Sequence, residues 1–403
     1  MTYIFLRTAC AMNRTCPRSG VSRPMSTSTI HILHLGTATR TADGRAIAAL
    51  EYYRRLDVSR PAAEMKHSLA IVRRRRQPVP WADTAARLGV PVYDLVRYAP
   101  GDFTLFWRLA RLARKLSVDV VHAHDAGSRC LALLLQPVVG FRIVATAAGW
   151  SGTTWRQRIT AGVDQKLLPG FDRIIAANNQ LARDLCMTGC RPQQIDVIHG
   201  GVDTETFSRK NVRGHLRAEL GLSPADRVVG VHAESATRDE LEGVLEAIRF
   251  AQSEVGPLHA LVFGAECPAD GLEAAFGWNI LEGRLHTIGV HGELPEVYAA
   301  LDALVLPQSA TANALFEAQS MEVPVIAVGP SGIGELIENG TTGILLEDDS
   351  PLSLGAAVAR MLADDRGSAS LAAAGRLRIC QRFRFDDLLL KVAGTYRRAC
   401  AQA

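Results

Sequence analysis

The chain has 403 residues, more than one hydrophobic core ordinarily serves, so its length predicts two domains. Hydrophobic residues make up 48% and charged residues 21% of the sequence, which is the composition of a globular protein and excludes a disordered one. The formal net charge of +4 is too small to indicate nucleic-acid binding, and no apolar run reaches the ~18 residues that a membrane-spanning helix requires.

The first 25 residues contain four arginines and no acidic residue. Their apolar run, residues 3–6, is too short for the core of a secretory signal peptide. An over-extended start with initiation near Met25 is the simplest interpretation, and a disordered basic tail is the alternative; either places residues 1–27 outside the domains. The eight cysteines include no CxxC pair, so we expect reduced thiols in a cytoplasmic protein.

Strands and helices alternate through the first half of the chain, which predicts a parallel α/β sheet. Residues 30–35 are a predicted buried strand, and the loop after it contains Gly36 and Gly44, where a ligand can approach the backbone. The other predicted strands are 68–72, 90–95, 118–123, 142–146, 171–176 and 195–198. The predicted helices are 47–56, 103–116 and 178–186.

The helix predicted at 103–116 is amphipathic, with leucines on one face and basic residues on the other. Packing in the core is the structural interpretation, and peripheral contact with the inner membrane surface is the alternative. The four arginines at 73–76 leave a similar choice between a solvated loop and contact with anionic lipid or an anionic acceptor.

The predicted strand 118–123 ends in polar groups. His122 and His124 are two residues apart, so they share a face of the strand and suggest a metal ion. The sequence shows no third ligand nearby, and we therefore predict no metal site.

The second half follows a polar linker at 208–223. Its predicted strands are 228–232, 259–264, 284–289, 303–306, 323–328 and 343–346. The turn after Leu306 leads into a helix, whose free backbone N–H groups and dipole can hold a phosphate. Glu317 lies about one turn into that helix, near enough to meet sugar hydroxyls attached to the phosphate.

The order of these segments resembles that of the retaining family-4 glycosyltransferases, which have two Rossmann-like domains (the GT-B fold). The matching segments in the first half are VDVVHAHD at 118–125, FDRIIAANNQLARDL at 171–185 and IDVIHGGVDTETF at 195–207. In the second half they are Pro307, Glu317, VPV at 323–325, the Gly-x-x-Glu loop at 332–335 and TGI at 342–344. The resemblance covers nearly everything from residue 30 to residue 396.

This resemblance implies an α/β protein with two Rossmann-like domains facing each other across a cleft. The acceptor domain would span 28–207, the nucleotide-sugar domain 224–380, and a helix within 381–403 would cross back to the first domain. The implied reaction moves a sugar from a nucleotide-sugar donor to a carbohydrate or lipid-linked acceptor in cell-surface polysaccharide or glycolipid synthesis, with no nucleic acid, metal or other cofactor. The cleft-lining positions of the first domain would be Gly36, Gly44, His124 and Gly149.

Several positions depart from the family pattern. The Arg and Lys that hold the donor phosphates correspond to Glu234 and Asp239, and Arg238 is the candidate phosphate clamp. The His of a Thr-x-His-Gly turn becomes Ala148, and the first Glu of a glutamate pair becomes Ser309. The second Glu, which holds the ribose, is retained. The predicted donor-binding residues are Ser309, Ala310, Thr311, Ala312, Asn313 and Glu317.

Two functions therefore compete. A working glycosyltransferase with an altered donor pocket is favoured, because the overall pattern is extensive. A catalytically impaired relative, acting as a nucleotide-binding or partner subunit, is the alternative, because losing one transition-state donor commonly costs about 3–4 kcal/mol. An epimerase or phosphorylase on the same fold fits less well. Those reactions also develop charge on phosphate, so they too would need the positive groups that this sequence lacks at the family positions.

Overall fold

The computed structural model describes residues 29–37, 65–74, 90–99, 102–147, 155–234, 236–264, 281, 283–289, 293–329 and 332–401. These residues form two α/β domains, each built on a parallel sheet. Several predictions concern residues outside the described part: the basic tail 1–27, helix 47–56, Gly44, the second half of the arginine run, Ala148 and Gly149.

The first domain is built on one parallel sheet of seven strands. The strands are β1 (Ile30–Thr37), β2 (Met65–Arg74), β3 (Val92–Arg97), β4 (Val120–Ala123), β5 (Arg142–Ala147), β6 (Arg173–Ala176) and β7 (Ile195–Val197). The helices are α1 (Phe103–Lys115), α2 (Ala126–Val139), α3 (Trp155–Leu167) and α4 (Asn179–Met187). The strand order is β3-β2-β1-β4-β5-β6-β7. Successive strands are therefore added to one side of β1 as far as β3 and to its other side from β4 onward, and parallel sheets of this type bind ligands at such a reversal of strand order.

The sequence determines where these helices begin and which face they bury. Helix α1 begins after Asp102, whose carboxylate accepts the Thr104 N–H at 3.0 Å. Helix α2 begins with a capping box between Asp125 and Ser128. The leucine stripe of α1 packs into the core of the domain, in agreement with the structural interpretation of its pattern.

The described residues of the second domain form six parallel strands. They are β8 (Arg227–His232), β9 (Leu258–Phe263), β10 (Leu285–Ile288), β11 (Ala303–Leu306), β12 (Val325–Val328) and β13 (Ile344–Leu346). The helices from the linker onward are α5 (Leu216–Glu219), α6 (Arg238–Val255), α7 (Leu294–Ala299), α8 (Ala312–Ser320), α9 (Pro351–Ala363), α10 (Asp365–Arg382) and α11 (Phe385–Ala401). The strand order β10-β9-β8-β11-β12-β13 places β8 and β11 at the centre, and the fold agrees with the predicted pair of Rossmann-like domains.

The segment 208–223 is packed against the second domain. Arg209 Nε donates to the carbonyl oxygen of Met321 at 2.8 Å, and the Arg217 guanidinium pairs with Asp302 at 2.7 Å. These contacts attach the linker to both ends of the β11–α8 segment, because Asp302 precedes β11 and Met321 follows α8.

The last helix, α11, leaves the second domain and packs on the sheet of the first. Its buried Val392 and Tyr396 contact Ile32 of β1 and Val144 of β5 in one apolar cluster. The Tyr396 hydroxyl lies 2.7 Å from His122 Nδ1. The helix therefore ties the end of the chain to the centre of the first sheet.

Helix α9 packs tightly against α6 at a glycine. A β-carbon on Gly355 would lie 2.7 Å from the carbonyl oxygen of Ala247 and 2.9 Å from Phe250 Cβ. We expect Gly355→Ala to lower the free energy of unfolding by about 1–3 kcal/mol, because the two helices must separate.

The matched control is Gly243→Ala. Gly243 lies in α6, the partner helix, and a β-carbon added to it would have nothing within 4 Å. Alanine is the better helix former, so this variant should be as stable as the wild type or more stable, by up to ~1 kcal/mol. Urea denaturation measures both. Equal stability of the two variants would contradict the predicted close contact.

Candidate functional site

The candidate site lies where β11 ends and α8 begins. Strand β11 is fully buried and stops at Leu306, and the chain turns through Pro307 to Thr311, the residue before α8. Thr311, at the N-cap position of this nine-residue helix, makes no side-chain capping hydrogen bond within the described part of the chain. The free N–H groups of a helix amino end, placed beyond the carboxyl end of a central parallel strand, can bind an anion.

Glu317 lies on the second turn of α8. Its Oε2 accepts a hydrogen bond from the Tyr298 hydroxyl at 2.9 Å. Burial raises the pKa of the Glu317 carboxyl to about 7, the Tyr298 hydrogen bond opposes this rise, and the negative charge of Glu234 adds to it. The side chain is thus a hydrogen-bond acceptor held in one orientation and titrating near neutral pH.

Ser309 is engaged by a carboxylate that our sequence analysis did not identify. Its backbone N–H donates to Glu240 Oε1 at 3.0 Å and its hydroxyl donates to Oε2 at 2.9 Å. Glu240 also accepts the Thr237 N–H at 2.7 Å, as part of the capping box of α6. Burial alone would raise the pKa of Glu240, but the hydrogen bonds from Thr237 and Ser309 outweigh it and hold the pKa below its usual value.

Glu240 therefore accepts both hydrogens that Ser309 could offer to a phosphate. The Thr-x-x-Glu spacing of residues 237–240 is a capping-box signal, which could have placed Glu240 in the first turn of a helix. It could not have shown that the start of α6 lies beside the loop after β11.

The other predicted donor-binding residues divide into packed and available groups. Ala310 and Ala312 pack against the apolar core of the second domain. The Thr311 hydroxyl is buried and has no hydrogen-bond partner among the described residues. Asn313 is exposed. It lies close to Gly200, because a β-carbon placed on Gly200 would be 3.2 Å from Asn313 Oδ1.

Glu234 and Asp239, the acidic residues at the positions of the family's Arg and Lys, lie near this same site. Glu234 follows β8, and its carboxylate acts on both Glu317 and Tyr298. Arg238 and Asp239 are exposed in the first turn of α6, two residues and one residue before Glu240 respectively. The site is thus acidic, and the candidate clamp Arg238 lies at its edge.

The two domains also meet beside the site. The Asn179 N–H of α4 donates to Glu335 Oε1 at 2.9 Å, and His199 Nδ1 lies 3.6 Å from the same carboxylate. Next to this contact is a cavity of about 640 Å³, which includes Arg378 and Lys391 in its lining and neither Ser309 nor Glu317. The first domain therefore closes one side of the cleft through α4 and the segment after β7.

On the first domain's side, His124 directly follows β4, whereas Gly36, predicted to lie in the loop after the first strand, is the second-to-last residue of β1, because the pairing with β2 continues to Thr37. A β-carbon on Gly36 would lie 3.8 Å from Asp125, which accepts hydrogen bonds from the N–H and hydroxyl of Thr37. His124 is partly exposed, and its Nε2 lies 3.2 Å from His34 Nδ1.

The expectation that no third ligand lies near His122 and His124 is wrong. Parallel pairing aligns His34 of β1 with His122 of β4, and His34 in turn contacts His67 of β2. Burial holds the pKa values of His34 and His122 well below the usual value and lowers those of His67 and His124 to about 4. The rings are therefore neutral at physiological pH.

Two family models match the chain. Residues 56–206 match the model described as Glycosyltransferase Family 4, and residues 227–364 match the model described as Glycosyl transferases group 1. Together they cover more than two thirds of the sequence, one model on each domain.

Relatives with glycosyltransferase names agree with these matches. The chain is 27% identical to D-inositol 3-phosphate glycosyltransferase 1 of Catenulispora acidiphila, over 70% of this chain and 72% of the relative. It is also 27% identical to the lipopolysaccharide core biosynthesis mannosyltransferase LpsB of Rhizobium meliloti, over 69% of this chain and 78% of the relative. Among solved structures, Anabaena Alr3699/HepE in complex with UDP-glucose superimposes with a TM-score of 0.76 at 16% identity, over 91% of this chain and 99% of that one.

Proposed function

Because this chain belongs to the GT-B glycosyltransferases of the family-4 type, we propose that the amino end of α8 and Glu317 hold its nucleotide-sugar donor. The enzyme transfers a sugar in glycan biosynthesis. In this proposal the acceptor is a carbohydrate or a lipid-linked carbohydrate of a cell-surface polysaccharide or glycolipid, and transfer takes place in the cytoplasm. Similarity to a mannosyltransferase of lipopolysaccharide core synthesis supports this class of acceptor.

The position of Glu317 is the observation that carries the proposal. Tyr298 fixes one carboxylate oxygen at 2.9 Å, and the carboxylate can accept hydrogens from the ribose hydroxyls of a nucleotide. The diphosphate would then lie toward the amino end of α8, where backbone N–H groups stabilise the negative charge that develops as the glycosidic bond breaks. This arrangement assigns no metal ion or other cofactor to the diphosphate.

Glu240 must give way for this donor to bind. Its carboxylate holds the two Ser309 donors, and two negative groups cannot share them without a cost of several kcal/mol. In our proposal the incoming phosphate displaces Glu240, and Arg238, two residues away on the exposed first turn of α6, supplies a positive charge. Gly36 and His124 line the acceptor side of the cleft.

The proposal is tested with a panel of nucleotide sugars and a mixture of glycan and lipid-linked acceptors. Release of nucleoside diphosphate and formation of glycosylated product are followed by mass spectrometry. We expect turnover with one donor class. Nucleotide binding without turnover of any donor would favour the impaired, nucleotide-binding alternative instead.

Donor binding should depend on pH through Glu317. With a pKa of about 7, its carboxyl is mostly protonated at pH 6 and mostly ionised at pH 8, so affinity for a nucleoside diphosphate should rise about tenfold over this range. Isothermal titration calorimetry measures the affinity. Because the terminal phosphate itself titrates near pH 6, the Glu317→Gln variant supplies the baseline.

Tyr298→Phe sharpens this experiment. The Tyr298 hydrogen bond lowers the pKa of Glu317, so its removal should move the midpoint of the affinity change to higher pH. If the nucleotide affinity of the wild type and that of Glu317→Gln change with pH in the same way, a role for this carboxylate in donor binding is contradicted.

Exposed aromatic side chains at the start of α1 support peripheral membrane contact. Phe103 is 80% exposed, Trp107 62% and Tyr98 65%, while the same helix carries a basic face. Aromatic rings and cations together suit the surface of an anionic bilayer. Among the described residues, no helix has both the length and the apolar character needed to cross a bilayer.

The membrane proposal predicts that Trp107→Ser lowers binding to phosphatidylglycerol-containing vesicles about ten- to hundredfold, because burial of a large apolar side chain contributes about 1.5–3 kcal/mol. Vesicle co-sedimentation measures the effect. The control is Leu352→Ser, since Leu352 is 68% exposed on α9 of the other domain. Equal vesicle binding by both variants would contradict contact through α1.

A further inference from the structure

Four histidines form a buried cluster in the first domain, separate from the donor site. His34, His67 and His122 lie on the adjacent strands β1, β2 and β4, and His124 directly follows β4. The exposed fraction of the first three is 0–2%, and His124 is partly buried. The cluster lies toward the carboxyl ends of β1 and β4, where the strand order reverses and the acceptor side of the cleft begins.

Three of these rings have the spacing of metal ligands. His34, His122 and His124 each place a ring nitrogen within 4.8 Å of the others. His34 Nδ1 and His124 Nε2 are already 3.2 Å apart. Two imidazoles on a tetrahedral zinc ion, with Zn–N distances of about 2.0–2.1 Å, have nitrogens about 3.3 Å apart.

Neighbouring groups would orient these ligands. If His34 coordinates through Nδ1, its Nε2–H can donate to His67 Nδ1, which lies 3.0 Å away. His122 has Tyr396 Oη 2.7 Å from one nitrogen and Thr146 Oγ1 2.7 Å from the other, so one of these partners remains when the other nitrogen binds metal. Metal-bound histidines ordinarily have such a partner on the second nitrogen.

We propose that His34, His122 and His124 bind one divalent transition-metal ion of the kind that prefers imidazole nitrogen, such as Zn²⁺. Three protein ligands leave a fourth position, which water or an oxygen of the acceptor would fill. His124 is the least buried of the three and gives the ion its path of entry. The Arg129 guanidinium acts on His122 and His124, but its charge is paired with Asp164.

The ion would connect the two strands at the reversal point and, through the His122–Tyr396 contact, the crossing helix α11. The proposal does not depend on the donor site or on sugar transfer, because metal binding is measured directly. The metal proposal is also independent of how the donor is held by Glu317 and the amino end of α8.

The experiment uses the untagged full chain, because a histidine tag would bind the same metals. After dialysis against Co²⁺ and removal of the excess, we expect one equivalent of bound Co²⁺ and visible absorption bands typical of a four-coordinate site. Zn²⁺ should displace it. His34→Gln and, separately, His124→Gln should lose the bound metal, while His67→Gln should bind it about 10–100-fold more weakly.

The matched control is His286→Gln. His259 and His286 of the second domain form another stacked pair, with ring nitrogens 3.0 Å apart, but no third imidazole joins them in the described residues. This variant should retain one equivalent of Co²⁺. Circular dichroism identifies any variant that fails to fold, and His124→Gln, at a partly exposed position, keeps the test decisive if His34→Gln does not fold.

No stoichiometric metal on the wild type would overturn the proposal and leave the cluster a hydrogen-bonded chain of neutral rings. Equal retention by folded His34→Gln or His124→Gln and the wild type would overturn it as well.

Discussion

Replacing Glu240 with glutamine should tighten the binding of a nucleoside diphosphate about ten- to hundredfold, equivalent to about 1.4–2.8 kcal/mol. In the structure the Glu240 carboxylate accepts the N–H and the hydroxyl of Ser309 at 3.0 and 2.9 Å, at the amino end of α8. Removing its charge takes a negative group away from the position where the phosphates are proposed to bind. Titration calorimetry with UDP, GDP and ADP measures the change.

Glutamine is chosen because it also serves in a capping box, so the start of α6 should stay folded. Glu254→Gln is the control, because Glu254 is exposed in the last turn of the same helix and its replacement changes the net charge equally. The same gain in affinity in both variants would show a general charge effect. Weaker binding by Glu240→Gln would mean that Glu240 assists the ligand and would refute the proposed displacement.

Replacing Glu317 with alanine should weaken nucleotide binding by about 1.5–3 kcal/mol, the usual contribution of hydrogen bonds to a charged group. The carboxylate is partly buried on the second turn of α8 and already oriented by the Tyr298 hydroxyl. It is therefore ready to accept the ribose hydroxyls without reorganisation. The ratio kcat/KM for the preferred donor should fall by the same factor as the affinity.

The control for this variant is Glu322→Asn. Glu322 lies exposed just beyond α8 at a φ of 56°, a backbone conformation that asparagine tolerates. Its replacement should leave nucleotide affinity unchanged. If Glu317→Ala binds nucleotide as tightly as Glu322→Asn, the ribose is not held by this helix.

The sequence was sufficient for the fold because each strand and helix carries its own signal. Residues 30–35 are mostly apolar and residues 303–306 entirely so, and such short runs alternating with helices require parallel sheets. Glu317 could be placed one turn into a helix from its distance to Pro307. The structure puts it on the second turn of α8, fully consistent with that spacing.

Contacts between distant elements could not be read from the sequence. Glu240 and Ser309 are 69 residues apart, and their contact depends on how α6 packs beside the loop after β11. His34 and His122 meet because β1 pairs with β4 in a register that places them opposite each other. A strand pattern shows which face a residue occupies, but it does not show which strand becomes its neighbour or in what register.

The charge reversals illustrate the same limit. Alignment with the family placed Glu234 and Asp239 where positive groups are expected, and in the structure the negative charge of Glu234 contributes to the raised pKa of Glu317. It leaves Asp239 exposed on the first turn of α6. Two substitutions that are equal in the sequence therefore have unequal effects on the site.

The central claim is that a nucleotide lies between the two domains with its ribose against Glu317. A crystal structure of the protein grown with a millimolar nucleoside diphosphate tests it most directly. We predict ribose hydroxyls within hydrogen-bond distance of Glu317, phosphates at the amino end of α8, and Glu240 turned away from Ser309. A nucleotide bound elsewhere, or a Glu240–Ser309 contact that persists with no nucleotide in the cleft, would contradict the account.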